Sequence, residues 1–122
     1  MLLNDFFHIA DLKHDGAEIN ATLTINAAHR VFDGHFPGQP VVPGVCMLQI
    51  VKELAEAALQ KKSSLVAAQE LKFLAIIDPG KNNIISARLK YTHEPGSGIM
   101  VIATLYKDDL VHFKFKGQFV LS

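Results

Sequence analysis

Hydrophobic and polar positions along the chain follow two periods, and the shorter one dominates. In residues 17–26 (AEINATLTIN) Ile19, Ala21, Leu23 and Ile25 alternate with mostly polar neighbours, which predicts a half-buried strand. Residues 6–14 read as a strand before it, with Asp15-Gly16 as the tight turn between them. Residues 65–77 are β-like and end at Asp78-Pro79-Gly80. Residues 83–93 follow, then the turn Glu94-Pro95-Gly96-Ser97-Gly98. Residues 99–107 and 110–121 form a hairpin across Asp108-Asp109. In its second arm Val111, Phe113, Phe115 and Phe119 alternate with His112, Lys114, Lys116 and Gln118.

The 3.6-residue period is confined to residues 44–60. There Gln49, Lys52, Glu53, Glu56 and Gln60 make one polar stripe, expected to face solvent or a subunit, and the remaining positions are almost all apolar. A helix apolar round most of its circumference must be nearly enclosed by the rest of its domain. One enclosed helix among antiparallel strands gives an α+β class, a sheet wrapped round a helix, as a single domain over 1–122.

Composition narrows the function classes. The chain has 122 residues, 49% of them hydrophobic, with 12 basic and 12 acidic side chains and one Cys. That size suits one domain with a sizeable core and no disulfide or metal staple. Balanced charge gives no bulk case for nucleic acid or an anionic membrane. The start, MLLNDFFHIA, has no basic region or cleavage site, and the longest apolar run, Val41 to Leu48, is far too short to span a bilayer. A soluble cytoplasmic protein is the expectation.

The chemistry concentrates in Phe32 to Glu53, FDGHFPGQPVVPGVCMLQIVKE. Pro37, Pro40 and Pro43 restrict this loop, and Gly34, Gly38 and Gly44 allow close backbone approach. A loop so constrained holds a side chain in place, and His35 is the candidate. The Gly44 and Val45 amides at the helix start are free donors at the positive end of its dipole, able to polarise a carbonyl. A base and an electrophilic amide site are thus offered together.

HFPGQPVVPGV, His35 to Val45, resembles the active-site signature of the hot-dog-fold β-hydroxyacyl-[acyl-carrier-protein] dehydratases, and LKFLAIIDPGK, Leu71 to Lys81, is similar to that family's second common element. The resemblance covers essentially the whole chain. It implies a hot-dog fold, a curved antiparallel sheet round one long central helix. It also implies a homodimer, with a hexamer of three dimers as the larger form. The substrate would be a 3-hydroxyacyl thioester on the phosphopantetheine of an acyl carrier protein or of CoA, losing water to give the trans-2-enoyl thioester. No metal or redox cofactor is implied.

Carried over by position, His35 matches the family's catalytic His and Gly44 the helix-start Gly whose amide binds the thioester carbonyl. Phe36, Val41 and Val45 join Gly44 as substrate-binding candidates. The family's second catalytic residue, a Glu or Asp fourteen positions after the His, reaches the partner subunit's site; here that position is Gln49. A neutral amide does not protonate a departing hydroxyl near pH 7, although it can orient one. Glu53, one turn on, is the candidate substitute acid, though it reads first as a solvated or subunit-facing member of the stripe. Two alternatives follow: a non-catalytic acyl-thioester-binding partner subunit, or a hot-dog acyl thioesterase in which His35 and Gln49 position a water.

Other residues have plainer readings. Cys46, in the first helical turn, reads as a small core residue rather than a thiolate. His29 has no companions at metal-ligand spacing, so no metal is assigned. Lys61-Lys62 and Lys114/Lys116 suit an acidic carrier protein, but read first as a solvated face.

Overall fold

The computed structural model describes residues 1–122. Its elements are β1 (Phe7–Asp15), β2 (Glu18–Ile25), a 3-10 turn (Arg30–Asp33), α1 (Gly44–Leu59), β3 (Ser63–Phe73), β4 (Ile84–His93), β5 (Gly98–Lys107) and β6 (Leu110–Leu121). The six strands form one sheet in the order β1-β2-β4-β5-β6-β3, antiparallel throughout. Register shifts interrupt β1, β3 and the β5–β6 pair. Bulges of this kind bend and twist a strand, helping the sheet to curl about α1.

The alternation read from the sequence is the packing. Ile19, Ala21, Leu23 and Ile25 of β2 are buried, as are Phe113, Phe115 and Phe119 of β6. Against them lie Met47, Ile50, Val51 and Leu54 of α1. Each of these side chains larger than alanine contributes about 1.5–3 kcal/mol through burial. The α+β, hot-dog arrangement expected from the sequence is the one observed.

Three boundaries differ. The β1–β2 turn is Gly16-Ala17, one residue later than predicted, because Asp15 pairs with Glu18 and Gly16 takes φ +59°. Glycine at that first turn position is what a type II′ hairpin requires. β3 spans 63–73, not 65–77. Leu74 and Ala75 turn their amides to the His112 carbonyl, and Ile77 accepts from the Val42 amide, so Leu74–Ile77 becomes a strap across the sheet's end. α1 closes at Leu59 with Gln60 in the left-handed region at φ 57°.

The polar stripe is solvated only in part. Glu53 is 1% exposed and Glu56 is buried as well. The Leu2–Leu3 backbone covers the first, and the turn into β3 at Ser63 covers the second.

Candidate functional site

Phe32–Pro43 leads into α1 along one wall of an apolar cleft. The cleft, ≈460 Å³, is lined by His35, Val41, Val42, Gly44, Met47 and Phe73, together with Leu74, Ala75 and Ile76 of the strap. His35 is the only titratable side chain among them. Its Nδ1 lies 3.2 Å from the Val41 carbonyl oxygen, while the Val41 amide donates to the His35 carbonyl at 3.0 Å. A carbonyl only accepts, so Nδ1 carries the proton of the neutral ring and Nε2 keeps a free lone pair. The Phe36 ring stacks on the imidazole at 4.3 Å between centroids and 19° between planes, fixing its tilt. The His35–Phe36 peptide is cis.

Gly44 supplies the opposite character. Pro43 occupies the N-cap and makes no side-chain capping bond. The Gly44 and Val45 amides therefore find no acceptor within the chain, as the first amides of an uncapped helix must. The helix dipole adds partial positive charge there. The residue is glycine for a steric reason: a Cβ would lie 2.8 Å from Cε1 of Phe73. Phe73 in turn stacks on the buried Phe113 at 5.1 Å. The cleft thus combines a base with an open lone pair and an anion-stabilising helix end.

Gln49 and Glu53 are elsewhere. Gln49 lies five residues past Gly44, about 7.5 Å along α1 and about 140° round it. It does not line the His35 cleft. Its Nε2 donates to Oε2 of Glu53 at 2.7 Å. Glu53 also accepts from the Leu2 amide at 2.8 and 3.0 Å and from the Leu3 amide at 2.7 Å. Every donor to this buried carboxylate is neutral.

A family model described as ApeI dehydratase matches residues 11–116 of the chain. The chain belongs to the ApeI-like family. It is 31% identical over 103 residues to the 3-hydroxyacyl-[acyl-carrier-protein] dehydratase FabZ of Nitrosospira multiformis, covering 84% of this chain and 66% of that one. With the same-named protein of Blochmanniella pennsylvanica the identity is 28% over 102 residues, covering 84% and 63%. The chain thus spans slightly under two-thirds of the length of these relatives. Among solved structures, the dehydratase heterocomplex ApeI:P from Xenorhabdus doucetiae superposes with TM-score 0.73 at 20% identity, covering 92% of this chain and 96% of that one. The (R)-hydratase from A. caviae involved in PHA biosynthesis gives 0.67 at 14%, covering 90% and 98%. At these identities the likeness is one of fold.

The remaining candidates of this ApeI-like chain fall outside the cleft lining. Val45 is 74% exposed on the outer side of α1, and Phe36 is exposed beyond the His35 ring. Cys46 is half-buried, and burial pushes its thiol up, keeping it protonated. His29 accepts the Val31 amide at Nδ1 as the cap of the 3-10 turn and meets Asp5 at 3.2 Å through Nε2. No three His, Cys, Asp or Glu side chains come together as a metal set.

Sequence reasoning missed His112. Strand parity puts it on the outer face of β6, yet the strap buries it to 4% exposure. Its Nδ1–H donates to the Ala75 carbonyl at 3.2 Å, while its own carbonyl accepts from Leu74 and Ala75. His112 thereby pins the strap that forms one wall of the His35 cleft. Its Nε2 is buried without a partner.

Proposed function

We propose that this ApeI-like chain is a 3-hydroxyacyl-thioester dehydratase subunit, eliminating water to give the trans-2-enoyl thioester in fatty acid or related lipid or polyene synthesis. The observation that carries the reading is His35 held by Val41, with Nε2 free in the cleft that the Gly44 amide also lines. His35 Nε2 takes the α-proton, and the imidazolium so formed returns a proton to the departing β-hydroxyl, which leaves as water. The Gly44 amide stabilises the oxygen that gains charge as the enolate-like state forms. The apolar lining suits an acyl chain. The substrate rides on the phosphopantetheine of an acyl carrier protein or on CoA, and because the elimination is redox-neutral we assign no metal or redox cofactor.

We assign Gln49 to a neighbouring subunit's cleft, since it sits on the far side of α1 from its own. Support for a homodimer, with a hexamer as the larger form, comes from the exposed apolar side chains along the edge strand β3 (Leu65, Val66, Leu71 and Phe73) and from Val45 on α1. An unpaired apolar edge is a site for association. No helix is long and apolar enough to cross a membrane, and we assign the chain, as one hot-dog domain over 1–122, to the cytoplasm.

One observation favours a second reading. The amide of Gln49 is committed to Glu53, so a homodimer presents no acid at this position, as in an acyl-thioester-binding subunit that borrows its acid from another chain. The test is incubation with 3-hydroxyacyl and saturated acyl thioesters. Enoyl product carries the first reading, and binding without turnover the second. Release of free thiol would make the protein an acyl thioesterase and overturn both.

A further inference from the structure

His112 is a buried side chain that the chemistry of the cleft does not use, and a bulge sets its place. From Tyr106 to Leu105 the strand β5 advances one residue, while β6 advances two, from Val111 to Phe113. His112 is the extra residue, and a bulge re-aims the side chain it carries. The ring meets the strap Leu74–Ile77 at 4% exposure. Its Nδ1–H donates to the Ala75 carbonyl at 3.2 Å, and its own carbonyl accepts the Ala75 amide at 3.3 Å. Both polar groups of Ala75 thus end on one residue, which fixes the orientation of the strap as a single bond would not. Nε2 is left buried without a partner. Burying an unpaired ring nitrogen costs more than one neutral hydrogen bond returns. Stability alone therefore does not favour histidine over an apolar side chain here, and an exception of this kind calls for a function.

Packing does not hold the strap. Leu74 and Ile76 are each more than half exposed. Ile76 borders both the cleft and a second cavity of ≈170 Å³ that His112 lines, so the strap is a partition with space beside it. Hydrogen bonds fix it instead, and they continue to the His35 ring. From Ala75 the strap runs to Ile77, whose carbonyl accepts the Val42 amide at 3.0 Å. Val42 follows Val41, whose carbonyl receives Nδ1–H of His35 at 3.2 Å. The path from one histidine to the other consists of hydrogen bonds and two short lengths of backbone.

We propose that His112 is a positioning residue for His35. Its Nδ1–H sets the strap, and the strap sets the Val41–Val42 backbone. That backbone holds the His35 imidazole with its proton on Nδ1 and the Nε2 lone pair open to the cleft. The effect on turnover rests on the function proposed above; the coupling of the two rings rests on the hydrogen bonds. A small displacement is enough, since misplacing a reacting group by about 1 Å costs up to about 10²-fold in rate. A Val41 carbonyl out of reach frees the imidazole to carry its proton on Nε2, where no lone pair is then left to accept another. A purely structural role for the ring fits less well. The Leu74 and Ala75 amides already tie the strap to the His112 carbonyl, which any residue at this position supplies.

The test reads the ring and the rate separately. Long-range proton–nitrogen NMR spectra are recorded at about pH 8, above the ordinary histidine range, for the wild-type protein, His112→Leu and His112→Asn. His35 is assigned by the signals lost in His35→Ala. The wild type is expected to show His35 with its proton on Nδ1. In His112→Leu that proton moves in large part to Nε2, the site a free neutral imidazole prefers. His112→Asn, whose side-chain amide donates from the place of Nδ1, restores the wild-type spectrum. Turnover is followed with short-chain and long-chain 3-hydroxyacyl pantetheine thioesters. In His112→Leu kcat falls about tenfold or more for both, with KM little changed, and His112→Asn recovers most of the loss. Circular dichroism checks the fold, and His112→Phe, which keeps a ring without the donor, replaces His112→Leu should that fail to fold. A His35 proton that stays on Nδ1 in His112→Leu overturns the inference. So does a defect confined to KM for the long chain, which would make the strap a wall and nothing more. So does His112→Asn behaving as His112→Leu does, which would make volume the property that matters at this position. If the wild type turns over neither thioester, the catalytic reading falls and the spectra alone decide the coupling.

Discussion

Gln49 donates its side-chain amide to the buried carboxylate of Glu53, 2.7 Å away across one turn of α1. Because a carboxylate only accepts, this bond fixes which end of the Gln49 amide faces inward. Nε2 is held, and Oε1 is the group left to a neighbour. An oxygen there accepts a hydrogen bond from a substrate hydroxyl but has no proton to give it. The acidic side chain of the region lies one turn on, closed off beneath Leu2 and Leu3.

Gln49→Glu is therefore expected to raise dehydration of 3-hydroxyacyl thioesters by about tenfold or more, within the range a positioned acid supplies. The new carboxyl would stand against that of Glu53. Two carboxylates at hydrogen-bond distance do not both ionise, so the pair holds a proton to higher pH than either would alone. The rate should then fall as pH rises through that shared ionisation. The swapped pair, Gln49→Glu with Glu53→Gln, should keep the gain while removing the repulsion. A native protein that is already fast, and slowed by Gln49→Glu, would show that the amide is the working group.

His35→Ala is expected to lower turnover by about 10²- to 10⁴-fold, the usual worth of a positioned base. The melting temperature should change little, since the ring's single hydrogen bond is to a carbonyl of its own loop. Retention of more than half the native rate would remove His35 from the mechanism.

At Gly44 an added methyl meets the Phe73 ring at 2.8 Å. Gly44→Ala should cost about 1–3 kcal/mol through overpacking and reduce turnover by shifting the helix-end amide. Phe73→Leu removes the obstructing ring carbon. The double variant should recover stability in urea melts and part of the rate. If it recovers neither, the contact is not what excludes a side chain at position 44.

The sequence pattern was most legible where one face of an element meets the core and the other meets water. β2 and β6 have that clean alternation, and the Asp108-Asp109 turn follows from its flanks. Leu74–Ile77 was illegible because its apolar run looks like more strand. What ends β3 is a set of long-range bonds to His112 and Val42, which no local pattern records. Glu53 and Glu56 were misread for a similar reason. Their helical angle is that of a polar stripe, but segments distant in sequence cover it. His35, Val41 and Gly44 come to line one cleft because the eleven consecutive residues that carry the family resemblance hold them there. A partner-site role for Gln49 came only from the family resemblance, and its tie to Glu53 needed the carboxylate's burial to be known.

Glu56 offers a test of how such a buried acid is held. Burial pushes its carboxyl up. The hydrogen bond from Lys52, the bonds from the amide and hydroxyl of Ser63, and the Lys52 charge outweigh this, leaving it below its ordinary 4.5. Lys52 Nζ is 3.0 Å from Oε2, and the Ser63 amide is 2.7 Å from the same oxygen. A carboxyl whose folded value is lowered stabilises the fold fully above its ordinary value and loses that stabilisation as pH falls through the folded one. Glu56→Gln should therefore cost about 1–3 kcal/mol at pH 7, where a charged acceptor is exchanged for a neutral one beside Lys52. Below pH 4.5 the native protein should lose stability faster than the variant, so that their urea midpoints converge. A gap that stays constant from neutral pH down to about pH 3, well under the ordinary carboxylate range, would mean that shape at the α1–β3 turn, not the Glu56 charge, is what the substitution removes.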